Sequence, residues 1–258
     1  MLSQPKHKIF SIKKLLILIS VSFNLVFLAF LLNFAYKMGY LGRGLVLVNA
    51  NQVELPTDTL SSQSWWQEEV RYQAIVSENQ KYNYCLFGDS ISSGLGNTIG
   101  DRTFNFAEPG MSTISLIEQL KVLTTANVKC RKVILAIGTN DADYRTMNDQ
   151  FIRNMKQIIS TVKQMGAEQI ILIPAFYSTV AASHDVTMAG TIERVDEINA
   201  LIRQVAATEK VMISEVGMSL YEGKALKENL TIDGVHLNTN GRKIYRDALL
   251  KIQSELPQ

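Results

Sequence analysis

Histidine and cysteine are scarce in this chain, three of one and two of the other among 258 residues. Cys85 and Cys130 lie far apart in sequence with no histidine beside either, so no Cys/His cluster is available to hold a zinc ion. A G-x-S-x-G elbow is missing, which disfavours the α/β-hydrolase architecture. Walker loops and dinucleotide fingerprints are missing too, and no cofactor is implied. There is no internal repeat and no low-complexity tract. Residues 37–258 carry 22 basic and 24 acidic side chains without a block of either sign, so nucleic-acid binding has no electrostatic support.

Charge is absent altogether from Leu15 to Tyr36, and this run accounts for the slightly positive mean hydropathy of +0.05. As a helix, such a run reaches ~33 Å, enough to cross a bilayer core. A signal peptide has a shorter apolar region ending in a small-x-small site, and Asn33 to Lys37 offers none. A buried core helix would keep a polar face at this length. An uncleaved anchor is the expected reading. Lys6, Lys8, Lys13 and Lys14 precede it and only Lys37 and Arg43 follow closely, which predicts a cytoplasmic N-terminus and an extracytoplasmic C-terminal domain, periplasmic or at the cell surface.

The expected layout is a basic tail (1–14), a transmembrane anchor (15–36), a stalk with a docking helix (37–80) and a C-terminal domain (81–258). The stalk is marked by Gly39, Gly42, Gly44 and Pro56. A helix over Ser61–Asn79 would place Trp65, Trp66, Val70, Ala74 and Ile75 on one apolar face. From Lys81 onward, short apolar strands (Tyr82–Phe87, Phe104–Phe106, Lys132–Ile137, Gln169–Ile173, Val211–Ser214) alternate with amphipathic helices (Thr113–Leu123, Met147–Met165, Ile192–Thr208, Gly241–Leu250). That alternation predicts an α/β fold, a parallel sheet with helices on both faces. If the strands bearing Cys85 and Cys130 end level, the two residues are offset by ~16 Å along the sheet. A disulfide needs Cα atoms within about 7 Å, so two reduced, partly buried thiols are expected.

Four short motifs follow one another: Gly88-Asp89-Ser90, Asn105 to Gly110, Gly138-Thr139-Asn140-Asp141, and Asp233-Gly234-Val235-His236. The first and third directly follow predicted strands, at the sheet edge where function gathers in such folds. Ser90 can serve as nucleophile if a base lies within reach. His7 falls in the basic tail and His184 in a loop, which leaves His236, with Asp233 three residues earlier to orient it. Backbone amides at Ser90 and Gly110 and the Asn140 side chain are candidate oxyanion donors. Alone, Ser90 would be read as a helix cap, Asn140 as a turn former and His236 as a surface residue. Asp89 and Asp141 read as turn stabilisers, and His184-Asp185 as part of a loop bordering the pocket.

In combination and order these motifs resemble those of the SGNH (GDSL-like) hydrolase superfamily, over roughly Lys81 to the C-terminus. Ile91 replaces the Leu of the GDSL tetrad. The resemblance implies a flavodoxin-like three-layer α/β/α sandwich with a parallel sheet of about five strands, behind one N-terminal transmembrane helix. It implies Ser90, Asp233 and His236 as a catalytic triad, and Ser90, Gly110 and Asn140 as an oxyanion hole, with no cofactor or metal. The expected function is a membrane-anchored serine esterase acting on an acylated glycan or lipid. An acyltransferase for a surface polysaccharide uses the same machinery, and a non-catalytic binding protein would keep only the fold.

Overall fold

The computed structural model describes residues 20–24, 27–29, 31 and 57–255. The expected span at 15–36 thus falls largely outside the described residues. Those of it that are described are helical and exposed, with the Asn24 side-chain amide donating to the Ser20 carbonyl at 2.7 Å. No helix among the described residues is long and apolar enough to cross a membrane. The chain divides into two compact units, residues 1–54 and 55–258. The second carries every motif named above.

Its core is a five-stranded parallel sheet of β1 (Lys81–Gly88), β2 (Thr103–Asn105), β3 (Lys129–Ala136), β4 (Gln169–Leu172) and β5 (Met212–Ile213), in the order β2-β1-β3-β4-β5. Both faces are covered, which is why the C-terminal half of β3, from Val133 on, reads as an unbroken apolar run after the basic start at residues 129–132. One face packs against α1 (Ser64–Val76), α3 (Thr113–Thr125), α5 (Asn148–Gln164) and α7 (Ile192–Glu209). The other packs against α2 (Ser90–Ser93), the loop through Leu95 and Ile99, and α8 (Thr239–Glu255).

Helical periodicity explains the first layer. Helix α5 buries Phe151, Met155, Ile158, Ile159 and Val162, one stripe at three- and four-residue spacing. Helix α3 starts with a reciprocal cap: the Ser112 hydroxyl accepts from the Ile114 amide and the Ser115 hydroxyl from the Ser112 amide, both at 3.0 Å. Helix α1 buries a narrower stripe than the sequence suggests. Trp66, Val70 and Ala74 are inside, but Trp65 is 49% exposed and Ile75 66% exposed, and Gln73 takes the buried position between them. The polar partners of Gln73, described below, explain that substitution.

The cysteines are not reduced: Cys85 and Cys130 form a disulfide with Cα atoms 5.8 Å apart. Two assumptions behind the expected thiols fail. The strands do not end level at the motifs, because the register pairs Gly88 with Ala136 and Tyr82 with Cys130, which cuts the offset to three residues. A regular pleat would still separate the two by about 10 Å, but the pleat is irregular here. Tyr82, Cys85 and Phe87 all pack on one side of the sheet while Tyr84 and Leu86 pack on the other, and Cys130 shares a side with Val133. The alternation skips a residue on both strands together, and both sulfurs come to the same face.

Candidate active site

Strand β1 ends at Gly88 and the chain turns at once into α2, whose first residue is Ser90. Asp89 caps that turn, its carboxylate accepting from the Ile91 amide at 3.0 Å. Asp89 is almost fully buried, and desolvation lifts its pKa to about 6 against the Ile91 amide, the Thr139 hydroxyl and His236, which pull it down. Its role is local, as the sequence suggests.

The Asp233–His236 turn brings a second segment to Ser90. The Thr231 hydroxyl accepts from the Gly234 amide at 2.9 Å and donates to the His236 carbonyl at 2.8 Å, which fixes the turn. Asp233 Oδ1 accepts from the amides of Val235 (3.0 Å) and His236 (2.8 Å), and Oδ2 lies 2.7 Å from His236 Nδ1. Burial raises the Asp233 carboxyl, but the amide and ring of His236 and the Val235 amide outweigh it and hold the group below the usual range. On the far side of the ring, His236 Nε2 is 3.0 Å from Ser90 Oγ. Ser90, His236 and Asp233 therefore form one hydrogen-bonded chain across 146 residues of sequence, with the imidazole 43% exposed to solvent.

The other two motifs meet on the opposite flank. The loop after β2 runs beside the end of β1, with the Phe106 amide donating to the Leu86 carbonyl (2.8 Å) and the Glu108 amide to the Gly88 carbonyl (3.1 Å). Gly110 follows with φ of 77°, in the left-handed region. Asn140 sits in α4 (Thr139–Asp143), which Gly138 opens at a φ of 132°. A side chain at Gly138 would also press on Ile198 at 3.1 Å. The Asn140 amide donates to the Met111 carbonyl at 2.9 Å, and the Tyr144 hydroxyl donates to the Gly110 carbonyl at 3.1 Å. These bonds tie α4 to the Gly110 loop. Asn140 keeps a second N–H, and among the described residues no turn, cap or side-chain hydrogen bond takes the amide of Ser90 or Gly110. Three donors of the kind an oxyanion hole requires are thus present.

Asp141 does more than hold its own turn. Buried, and raised by desolvation to about 6, it accepts from the Thr113 amide at 2.9 Å and the Thr113 hydroxyl at 2.6 Å, anchoring α4 to the start of α3. His184 and Asp185 lie just after α6 (Val180–Ser183), and Asp185 caps the turn at Thr187 rather than pairing with a base. Sequence reading missed Tyr144, Thr231 and the buried set Glu108, Gln73 and Gln119. In that set Gln73 Nε2 donates to Glu108 Oε1, and Gln119 Nε2 donates to the Gln73 side-chain carbonyl at 2.8 Å and to the Phe106 carbonyl at 2.7 Å. The only signal was a polar residue at an apolar position of α1. Among the described residues no cluster of metal-ligating side chains occurs.

The sequence pattern of the GDSL-like lipase/acylhydrolase family matches residues 86–244, more than half of the chain. No curated protein matches it significantly in sequence. Several solved structures share the fold. A GDSL-like lipase from Bacteroides thetaiotaomicron is 19% identical with a TM-score of 0.56, covering 73% of this chain and all of its own. A lipase/acylhydrolase from Enterococcus faecalis is 20% identical at 0.53, over 68% of this chain and 97% of that one. An acetyl xylan esterase is 16% identical at 0.52, over 67% of this chain and 100% of that one.

Proposed function

The chain belongs to the GDSL-like lipase/acylhydrolase family, and from that premise we propose that it hydrolyses carboxylic esters with Ser90 as nucleophile. The observation that carries the reading is the continuous bond chain from Ser90 Oγ through His236 to Asp233. His236 Nε2 takes the Ser90 proton as Oγ bonds to the ester carbonyl carbon. The oxygen of that carbonyl gains negative charge, which the Ser90 and Gly110 amides and the Asn140 side chain receive. The carbon–alkoxy bond then breaks, and the alcohol leaves with the proton held on His236. Water attacks the acyl-enzyme, gives its proton to His236, and the Oγ–acyl bond breaks as Oγ recovers that proton. Asp233 holds the ring in the required tautomer throughout.

The enzyme works outside the cytoplasm, held to the membrane by the uncharged run Leu15–Tyr36. The Cys85–Cys130 bridge supports that side, because disulfides persist in oxidising compartments. Its substrates there are acyl or acetyl esters of glycans or lipids, and a glycan ester is in keeping with the acetyl xylan esterase that shares the fold.

The reading is tested by treating the purified full-length chain with a fluorophosphonate, which traps an activated serine. Labelling of the wild type, lost in Ser90→Ala together with hydrolysis of p-nitrophenyl acetate, is the expected result. Hydrolysis that persists in Ser90→Ala would defeat the assignment.

A further inference from the structure

A cavity of about 30 Å³ lies beside the bond chain, lined among others by Ile91, Asn140, Phe176, Val195 and Val235. Ile91 follows the nucleophile, Val235 precedes the base, and Asn140 is the side-chain oxyanion donor. Of the three oxyanion donors only Asn140 lines this cavity, so an ester carbonyl bonded to that side chain would turn its acyl group toward it. Its walls are firm. Phe176 packs edge-on against Tyr245 with ring centres 5.0 Å apart, and Val195 is buried on α7.

A larger cavity of about 340 Å³ lies next to it and shares Asp143, Ala189 and Gly190 with it. Those residues form a thin partition. A methyl group built on Gly190 would stand 2.7 Å from the Ala142 carbonyl carbon and 2.9 Å from the Asp143 amide nitrogen. The backbone at Gly190 therefore rests directly on that of α4, leaving no gap for a hydrocarbon chain.

A cavity needs roughly 10–15 Å³ to hold one water-sized group, so the space of about 30 Å³ lined by Ile91 and Asn140 takes about two. Resting on the ester-hydrolase reading above, we propose that this enzyme selects esters of two- and three-carbon acids, acetyl and propionyl, and excludes long acyl chains. The partition at Gly190 sets the limit, since a longer chain must part it from α4 to reach the larger space. Met188, 42% exposed on the same rim, is the side chain whose removal lengthens the cavity with least disturbance of the core.

The test is kcat/KM of the full-length chain on p-nitrophenyl acetate, propionate, butyrate and octanoate, for the wild type, Met188→Ala and Ser90→Ala. Each methylene beyond the capacity of the cavity is expected to cost roughly 10–200-fold. In Met188→Ala the butyrate-to-acetate ratio is expected to rise about tenfold, the low end of that range. A wild type that cleaves octanoate as well as acetate, with the activity lost in Ser90→Ala, would overturn the selectivity and leave the esterase reading intact. An unmoved ratio in Met188→Ala would overturn the choice of this cavity as the acyl site. Failure to cleave any ester would instead remove the reading on which the proposal rests.

Discussion

Asp233 and His236 are joined twice: Oδ2 meets the ring Nδ1 at 2.7 Å, and Oδ1 accepts from the His236 backbone amide at 2.8 Å. The second bond locks the turn, and the first selects the tautomer that leaves Nε2 free to accept from Ser90. Asp233→Asn keeps the size and one acceptor but can present an N–H to Nδ1. The expected outcome is a fall in kcat of about 10⁴ with the fold retained, the loss seen where an orienting aspartate is replaced in a Ser-His-Asp site. Steady-state kinetics on p-nitrophenyl acetate with circular dichroism would check it. A loss of less than about tenfold would show that Asp233 only shapes the turn.

Asn140 tests the oxyanion assignment separately from the triad. One of its two N–H groups is committed to the Met111 carbonyl at 2.9 Å, and the other has the developing charge as its proposed partner. Removing one such donor typically costs about 2.7–4 kcal/mol, or roughly 10²–10³ in kcat. Asn140→Ala should show that loss with KM nearly unchanged, because the interaction strengthens only in the transition state. A change confined to KM would assign Asn140 to ground-state binding.

Burial gives the stability of this domain a pH dependence. Desolvation, with the Glu69 carboxylate nearby, pushes the buried Glu108 up to about 8. An acid whose folded pKa is raised favours the folded state most below its unfolded value, near 4.5, and that contribution is lost as pH rises through about 8. Asp89 and Asp141, both raised to about 6, add a loss of the same sign between the ordinary aspartate range and about 6. The melting temperature is therefore expected to fall from pH 5 to pH 8, by about 2–4 °C for each kcal/mol lost at this size. Glu108→Gln, which can still accept from Gln73, should flatten the portion between pH 6 and 8. A parallel slope in that variant would assign the loss to other groups.

Local pattern made much of this fold legible. The stripe Phe151–Met155–Ile158–Ile159–Val162 marks α5, and the apolar run from Val133 to Ile137 marks a strand buried on both faces. The motifs pointed to the candidate site because the segments of Ser90 and Asn140 each follow a strand, so chain order alone brings them to one edge. What stayed hidden depended on partners far away in sequence. Asp141 looks like a turn residue until Thr113 is beside it, and Gln73 looks misplaced on α1 until Glu108 and Gln119 surround it. The disulfide was hidden for a related reason, since register and pleat irregularity arise from the packing of β1 on β3 and leave no mark in composition.

That disulfide joins residues 45 apart in sequence. A cross-link of this length restricts the unfolded chain, and the chain-entropy estimate lies between the ~3 kcal/mol of a 15-residue loop and the ~4.7 kcal/mol of a 100-residue one, about 4 kcal/mol. The paired Cys85→Ser and Cys130→Ser variant loses that restriction and also buries two hydroxyls in an apolar layer, so Cys85→Ala with Cys130→Ala is the cleaner measurement. Both cysteines are fully buried and face the helix layer of α1, α3, α5 and α7, on the opposite side of the sheet from α2, with Cys130 near the start of β3 and Cys85 three residues before the Gly88 that ends β1. The double-Ala variant should therefore keep its esterase activity at low temperature while its urea midpoint drops by the equivalent of about 2–4 kcal/mol. Reductant added to the folded wild type should act only as fast as the domain opens, because no thiol can reach the bridge in the closed state. A midpoint within experimental error of the wild type would mean that the packing of β1 on β3 fixes this part of the sheet without the bridge. Loss of activity at low temperature would instead mean that the irregular pleat between Tyr82 and Cys85 is needed to set the position of Ser90.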